Sequence, residues 1–322
     1  VAKSDQVSVS YSNTRHMLDN VRRVYFLAPL LFMITDNTAA FDQGKKLTGQ
    51  AGMLHRATLG KRGGVPDHLF TAKTGDDYIR AHIDAVMNNP LFVYYDAYGV
   101  LQKIPSGEWT NFAQLKTQGL NTAANYWLAE TVFWPDVKIA ALKDAAGNVV
   151  NHRYEARMFG VGIHQHQSAL LIVAALADNP VFAGRVDRLL QQYGFSAHDM
   201  AAAKTLLADS YAAARHHNGK FLDIAYGNGG MSDFAREFAD LLEAAYLGKG
   251  YDDELTPILT ICRTGCTDGK INRILFPTLD KALQQQKNYD PAIFDNPNSN
   301  ARMVYERELK RAGAEICSQS AC

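Results

Sequence analysis

The sequence has no excess of charge of either sign. Its 322 residues include 33 Lys and Arg and 33 Asp and Glu, so the net charge is zero with histidine neutral. General nucleic-acid binders need a basic excess, because their cations displace counterions from the phosphate backbone. The balance therefore predicts no nucleic-acid partner, although a local basic cleft stays open.

Cysteine is scarce and long hydrophobic runs are absent. Four cysteines cannot make disulfides the main support of a chain this long, and the spacing of Cys262 and Cys266 is a weak metal signal. The longest apolar run, residues 25–34, is far shorter than the roughly 20 residues of a membrane-spanning helix. This run predicts a buried helix, and we expect no membrane segment, no signal peptide and a cytoplasmic location.

Hydrophobic periodicity predicts strands first and helices later. Residues 6–11 alternate as in a half-buried strand, and a helical pattern opens at Asn13. The C-terminal half contains five Ala- and Leu-rich or otherwise helical segments, at 168–177, 185–192, 197–216, 232–246 and 301–313. This order predicts an α+β fold with a sheet domain over 1–165 and a helical region over 166–322 packed on it.

The stretch between the first helix and residue 160 has a mixed pattern. Residues 41–70 are rich in glycine and predict a long loop, of the kind that is often functional. The remaining predicted elements are helices at 77–87 and 123–131, and strands at 91–95, 137–142 and 153–159. Glycine and asparagine between the last two strands favour a hairpin.

The GKRGG segment at 60–64 is a weak phosphate signal. Its backbone N–H groups, with Lys61 and Arg62, could cradle a phosphate. The alternative is a flexible turn with solvated charges. The standard nucleotide motifs GxxxxGK[ST] and GxGxxG after a strand are absent from the sequence.

Charged residues converge on the predicted hairpin. Glu155 and Arg157 are two apart in a strand, so their side chains point to the same face. Lys138 joins that face if the two strands pair. A salt bridge on a solvated face is one interpretation, and a metal-binding carboxylate beside a cation that grips phosphate or carboxylate is the other.

Several segments, in this order, resemble glutamate–cysteine ligases, especially the plant-like branch also found in proteobacteria. The resemblance covers roughly residues 6–177, and the C-terminal half is similar in texture only. The segments are QVSV at 6–9, ITDNTAAF at 34–41, HR at 55–56, the stretch 78–94, ETVFWPDVK at 130–138 and YEARMF at 154–159.

The resemblance implies a glutamine-synthetase-like antiparallel sheet whose concave face holds ATP, Mg²⁺ and glutamate. It implies that Glu155 ligates magnesium, that Arg157 contacts the transferred phosphate and that Arg56 holds a substrate carboxylate. The complete predicted site comprises catalytic Arg157 and Lys138, substrate-binding Arg56, Trp134 and Tyr94, cofactor-binding Gln6, Lys61 and Arg62, and the metal ligand Glu155.

The sequence departs from the family at two places. Lys138 stands where the family has arginine, which replaces a bidentate fork with a point charge and leaves another amine acceptor open. The family also begins with a segment of metal-binding glutamates, and nothing like it precedes Gln6. We expect a separate chain or segment to supply it.

The predicted function is ATP-dependent formation of γ-glutamylcysteine from glutamate and cysteine through a γ-glutamyl phosphate. Two alternatives stay open: a γ-glutamyl ligase that uses another amine, and a non-catalytic ligase-like subunit.

Overall fold

A computed structural model describes residues 4–36, 49–105, 110–146, 148–160, 166–268 and 270. Within these ranges the chain is a mixture of α-helices and small sheets, as predicted at that level, whereas a glutamine-synthetase-like sheet stays a prediction. The helices are α1 (Thr14–Ile34), α2 (Ala51–Ala57), α3 (His68–Thr71), α4 (Gly75–Asn88), α5 (Phe112–Thr117), α6 (Ala123–Thr131), α7 (His166–Asp178), α8 (Pro180–Gln192), α9 (Met200–Arg215), α10 (Met231–Tyr246) and α11 (Asp252–Thr264).

The strands are short except for three that form one sheet in the order β1-β7-β6. Three further pairs are β2 with β5, β3 with β4, and β8 with β9. The strands are β1 (Ser4–Ser10), β2 (Gly63–Gly64), β3 (Val93–Tyr95), β4 (Leu101–Lys103), β5 (Trp134–Pro135), β6 (Val137–Lys143), β7 (Val149–Gly160), β8 (Ala225–Tyr226) and β9 (Gly229–Gly230).

Helix α1 confirms the predicted buried helix. Its N-terminus is capped by Asn13, whose side-chain oxygen accepts a 2.9 Å hydrogen bond from the backbone N–H of His16. Every residue from Val24 to Ile34 is buried. Burial of this continuous apolar run explains why helix α1 tolerates Pro29 in its interior.

Strands β6 and β7 form the predicted antiparallel hairpin. Val137 pairs with Ala156 and Lys138 pairs with Glu155, with a register shift between Leu142 and Lys143. Since alternate residues point to opposite faces, one face of the hairpin is apolar and the other is charged. The apolar face carries the buried side chains of Val137, Ile139, Tyr154 and Ala156.

One prediction about local structure is wrong, and one helix was not predicted. Residues 41–70 are not a continuous loop, because their described part contains α2, a 3-10 helix at Gly60–Arg62 and α3. Gln50 precedes helix α2, and its side chain accepts a 2.6 Å hydrogen bond from the N–H of Met53. Helix α11 is not predicted by the sequence pattern and contains Pro257. The predicted helix at 301–313 lies outside the described residues.

The chain divides into two compact units. The hairpin unit comprises Gln6–Tyr25 and His55–Arg157, and the helical unit comprises Val1–Asp5, Phe26–Leu54 and Met158–Cys322. Each unit combines segments that are distant in sequence, whereas the predicted regions 1–165 and 166–322 are continuous. The assignment of those two regions to parts of a ligase stays a prediction.

Buried aromatic residues hold the described part of the helical unit together. The rings of Tyr226 and Phe234 lie 4.5 Å apart between centroids, and those of Phe182 and Phe238 lie 6.1 Å apart. The hydroxyl of Tyr226 donates a 2.6 Å hydrogen bond to the carbonyl of Phe26. Its buried polar end is therefore satisfied, as such groups must be.

None of the described helices is long and apolar enough on its own to cross a membrane. One bent pair, residues 167–178 and 180–192 at 96°, passes the same test on length and composition together.

Candidate functional site: the charged face of the hairpin

The charged face of the hairpin is built by residues two apart in the two strands. Asp136 immediately precedes strand β6 and Lys138 lies near its start, and the residues opposite them come from strand β7: Arg153, Glu155 and Arg157. The backbone N–H of Arg157 donates a 2.9 Å bond to the carbonyl of Asp136, which extends the strand pairing to these residues. The prediction that Lys138, Glu155 and Arg157 share a face is confirmed.

Glu155 lies between two arginines. Its Oε1 accepts a 2.7 Å hydrogen bond from Arg153, and its Oε2 accepts bonds of 2.6 and 3.2 Å from Arg157. Burial alone would raise the pKa of Glu155, but the hydrogen bonds and charges of Arg157 and Arg153 outweigh it and lower the pKa below its ordinary value. Glu155 is therefore ionised at neutral pH and fixes both guanidinium groups.

Lys138 pairs with a neighbour in sequence rather than with the residue opposite. Its ammonium lies 2.8 Å from Oε1 of Glu130 and donates to the Glu130 carbonyl oxygen, also at 2.8 Å. Both side chains are about nine-tenths buried. Because Glu130 is near the C-terminal end of α6, this pair joins that helix end to strand β6.

Arg56 of α2 links the start of the hairpin to its own helix. Its guanidinium forms an ion pair with Asp136 at 3.1 Å and donates a 2.7 Å hydrogen bond to the carbonyl of Arg157. A longer bond of 3.4 Å reaches the carbonyl of Trp134. Asp136 is completely buried, and this ion pair offsets part of the cost of burying its carboxylate.

The GKRGG segment lies beside Trp134. Gly63 pairs in parallel with Trp134, and the N–H of Asp136 donates a 3.0 Å bond to the carbonyl of Gly64. The guanidinium of Arg62 lies 4.0 Å above the ring of Phe92 and donates a 3.1 Å bond to the carbonyl of Pro90. The side chain of Lys61 lies outside the described residues.

The other two predicted residues have different surroundings. Tyr94 in β3 and Trp134 pack against a hydrophobic cluster formed by residues of α4, α5 and α6 with their flanking segments. Gln6 is exposed on β1. The structure thus brings together Arg56, Lys138, Glu155, Arg157 and the backbone of Trp134, and it places Tyr94 in a hydrophobic contact instead.

Sequence reasoning missed three charged members of this face: Glu130, Asp136 and Arg153. A signal was present for two of them, because Asp136 is two residues from Lys138 and Arg153 is two residues from Glu155. Glu130 has no such signal, since its contact with Lys138 depends on how α6 leads into β6.

A second missed feature is a pair of buried histidines in the hairpin unit. His68 and His82 have ring centroids 5.8 Å apart, and the ring of His82 also lies 5.2 Å from that of Phe133. Among the described residues, three of their ring nitrogens have no hydrogen-bond partner: both nitrogens of His82 and Nε2 of His68. The signal was the spacing of Tyr78, His82 and Val86, which places histidine on the buried face of α4.

Both histidines are neutral at physiological pH. Burial lowers the pKa of His82 to about 3, with His68, Lys138 and Arg157 adding positive charge nearby. Burial also lowers the pKa of His68 to about 4, although the charge of Asp67 opposes the change. The charged face is therefore accompanied by two imidazoles that resist protonation.

The described residues do not fit a magnesium site by themselves. Both carboxylate oxygens of Glu155 face guanidinium groups, and magnesium prefers carboxylate oxygens that are open to it. No group of three or more His, Cys, Asp or Glu among the described residues could hold a metal, and Cys262 and Cys266 are free thiols. The role of Glu155 as a metal ligand stays a prediction.

The charged face can bind and position an anion. Four cations, Arg56, Lys138, Arg153 and Arg157, share it with three carboxylates, Asp136, Glu130 and Glu155. Charges held largely away from water are costly, so a face with one cation in excess favours an incoming oxyanion. Planar guanidinium groups suit phosphate and carboxylate in particular.

Comparisons of the chain with models of protein families, with curated proteins and with solved structures gave no match.

Proposed function

We propose that this chain contributes the anion-binding residues of an ATP-dependent ligase that joins the side-chain carboxylate of glutamate to the amine of cysteine. The observation that carries the proposal is the buried, cation-rich face of the β6–β7 hairpin, at the segments that resemble glutamate–cysteine ligases. A ligase of this class needs fixed cations around two anionic substrates.

The chemistry explains why such a face is useful. A carboxylate is a poor electrophile, and ATP supplies the phosphoryl group that converts it into a γ-glutamyl phosphate. Arg157 and Lys138 would offset the negative charge that accumulates on the transferred phosphoryl group and on the oxyanion formed when the amine attacks. Arg56 would hold a substrate carboxylate close to them.

Glu155 would act as a positioning residue for this reaction. Its two oxygens hold Arg153 and Arg157 in one orientation, so the guanidinium of Arg157 needs little rearrangement when an anion arrives. A Glu155→Gln variant keeps a hydrogen-bond acceptor but loses the charge. We expect this variant to bind the anionic substrates with altered KM as well as lower kcat.

The direct test measures ADP release from Mg-ATP by the native protein, purified together with any polypeptide that accompanies it. We expect release only when glutamate and cysteine are both present, and mass spectrometry should detect γ-glutamylcysteine. Arg157→Gln should lower kcat/KM at least about tenfold, since a lost charge-assisted contact costs more than about 1.4 kcal/mol. Arg80→Gln, which removes an exposed arginine of α4, is the matched control and should leave the rate unchanged.

A second candidate is a non-catalytic subunit on a ligase-like scaffold. It is favoured by the engagement of Glu155 with two arginines, which leaves the described residues short of metal ligands. Intact-mass measurement of the native protein would separate the candidates. A second polypeptide with several glutamates that restores ADP release supports the ligase, and no release in the native assembly supports the subunit.

The amine acceptor needs a test of its own, because Lys138 stands where the resembled family has arginine and is paired with Glu130. A screen of amino acids and simple amines under the same assay should find cysteine the best acceptor. A better acceptor of another chemical class would keep the ligase reaction and replace its product.

A further inference from the structure

A small polar pocket lies in the helical unit, where the segment after α9 meets the first turn of α10 and the end of α11. Its volume is about 140 Å³. A wider cleft of about 700 Å³ shares part of its wall and opens beside it. Four cations and one carboxylate line the small pocket: Lys220, Arg236, Arg263 and Lys270, with Asp223.

The two arginines of the pocket are held in place by carboxylates of α10. Arg263 donates hydrogen bonds of 2.9 Å to Asp240 and 2.7 Å to Glu243, and Arg236 pairs with Asp233. These pairs fix the guanidinium groups and offset most of their charge. The arginines therefore shape the wall of the pocket more than they attract a ligand.

The two lysines differ from the arginines in this respect. Among the described residues no carboxylate forms an ion pair with Lys220 or Lys270. Both are fixed through their backbones, since the N–H of Lys220 donates a 2.8 Å bond to the carbonyl of His217 and that of Lys270 donates a 3.0 Å bond to Thr267. Two lysines without an ion-pair partner among the described residues thus line one small pocket, which also contains the carboxylate of Asp223.

The surrounding backbone adds to the positive potential. Helix α10 starts at the pocket wall, and its N-cap residue Gly230 offers no side-chain cap. Ser232 in the first turn donates its hydroxyl proton to the carbonyl of Leu222 at 2.9 Å, which fixes this edge. The positive end of the helix dipole adds to the positive potential of the two lysines.

We propose that this pocket binds a compact oxyanion, a phosphate or the carboxylate of a small acid, between Lys220 and Lys270. Size agrees with this ligand class, because about 140 Å³ is well below the roughly 300–1,000 Å³ of pockets that enclose larger organic ligands. The site is separate from the charged face of the hairpin and does not depend on the proposed reaction.

The test is calorimetric titration of the full chain with inorganic phosphate and, in parallel, with succinate. Sodium chloride keeps the ionic strength constant, so general screening is the same throughout. We expect saturable binding by at least one anion. The double variant Lys220→Gln, Lys270→Gln should weaken it at least about tenfold, since each lysine contributes a charge-assisted contact.

Two control variants locate the binding. Lys204→Gln removes a lysine of α9 outside the pocket and should bind like the parent chain. Arg157→Gln disables the hairpin face, which also favours oxyanions, so binding that this variant keeps and the double variant loses belongs to the pocket.

Each outcome decides the proposal. Saturable binding of phosphate, of succinate or of both supports it if the double variant loses this binding while Lys204→Gln and Arg157→Gln keep it. The proposal is overturned if neither anion saturates, if the double variant binds like the parent chain, if Lys204→Gln weakens binding as much as the double variant, or if Arg157→Gln abolishes it.

Discussion

The hairpin unit deals with buried ionisable groups in two ways. On the charged face, Glu155, Asp136 and Lys138 each have an oppositely charged partner at 2.6–3.1 Å, and for Glu155 the paired arginines outweigh burial and lower the pKa. In the same unit, His68 and His82 stay neutral, and three of their ring nitrogens have no hydrogen-bond partner among the described residues. Burial therefore does not decide the charge state of a group. The presence of a complementary charge decides it, and the two regions should respond differently to mutation and to pH.

The largest expected effect of a single substitution comes from removing one member of a buried pair. Asp136→Asn removes the buried negative charge that faces Arg56, and breaking a buried ion pair typically costs about 3–5 kcal/mol of unfolding free energy. Urea denaturation would measure the loss. Asp84→Asn, at an exposed position of α4, is the control and should change the stability little. Equal losses in the two variants would contradict the importance given to the buried pair.

Acidification should also lower the stability of the chain, and His68 and His82 should be the first groups to cause this loss. The folded-state pKa values, about 4 for His68 and about 3 for His82, lie below the ordinary 6.5. The unfolded chain therefore binds protons that the folded chain does not bind. The free energy of unfolding has its full value above pH 6.5 and decreases as the pH falls below it. Each histidine contributes a slope of about 1.4 kcal/mol per pH unit until its folded pKa is reached.

The carboxylate of the charged face responds in a lower window. The pKa of Glu155 is below its ordinary 4.5 when the chain is folded, so its contribution is present above pH 4.5 and is lost as the pH falls further. Stability measured from pH 6.5 to 4.5 therefore reports mainly on the histidines. His82→Phe should reduce the slope in that window by about half, and an unchanged slope would refute the assignment.

The smallest expected effect separates the two arginines of Glu155. The side chain of Arg153 is 33% exposed and that of Arg157 is 12% exposed. Arg153→Gln should cost less than about 1 kcal/mol, because solvent screens an accessible pair. Arg157→Gln should cost more, and thermal unfolding of both variants would show the order. The reverse order would mean that exposure does not govern this network.

The sequence pattern was most informative where a structure repeats locally. Helix α6 has the predicted limits, 123–131, and the hairpin has the predicted strands, because periodicity depends only on nearby residues. The shared face of Lys138 and Glu155 followed from the hairpin alone.

The sequence pattern was least informative where contacts join distant segments. Arg56 reaches the carbonyl of a residue 101 positions later in the chain, and no periodic pattern encodes such a contact. The pairing of Lys138 with Glu130 rather than Glu155 likewise depends on how α6 packs. Short helices such as α3, with four residues, carry too little pattern to recognise.

Arg56 also has a consequence for the kinetics of local opening. The carbonyl of Gly64 accepts from the N–H of Asp136, the carbonyl of Asp136 accepts from the N–H of Arg157, and the carbonyl of Arg157 accepts from Arg56. The backbones of these three residues and one side chain thus form a connected series of hydrogen bonds. The amide protons of Asp136 and Arg157 should exchange with deuterium slowly and at matching rates, because neither is released unless the whole series opens.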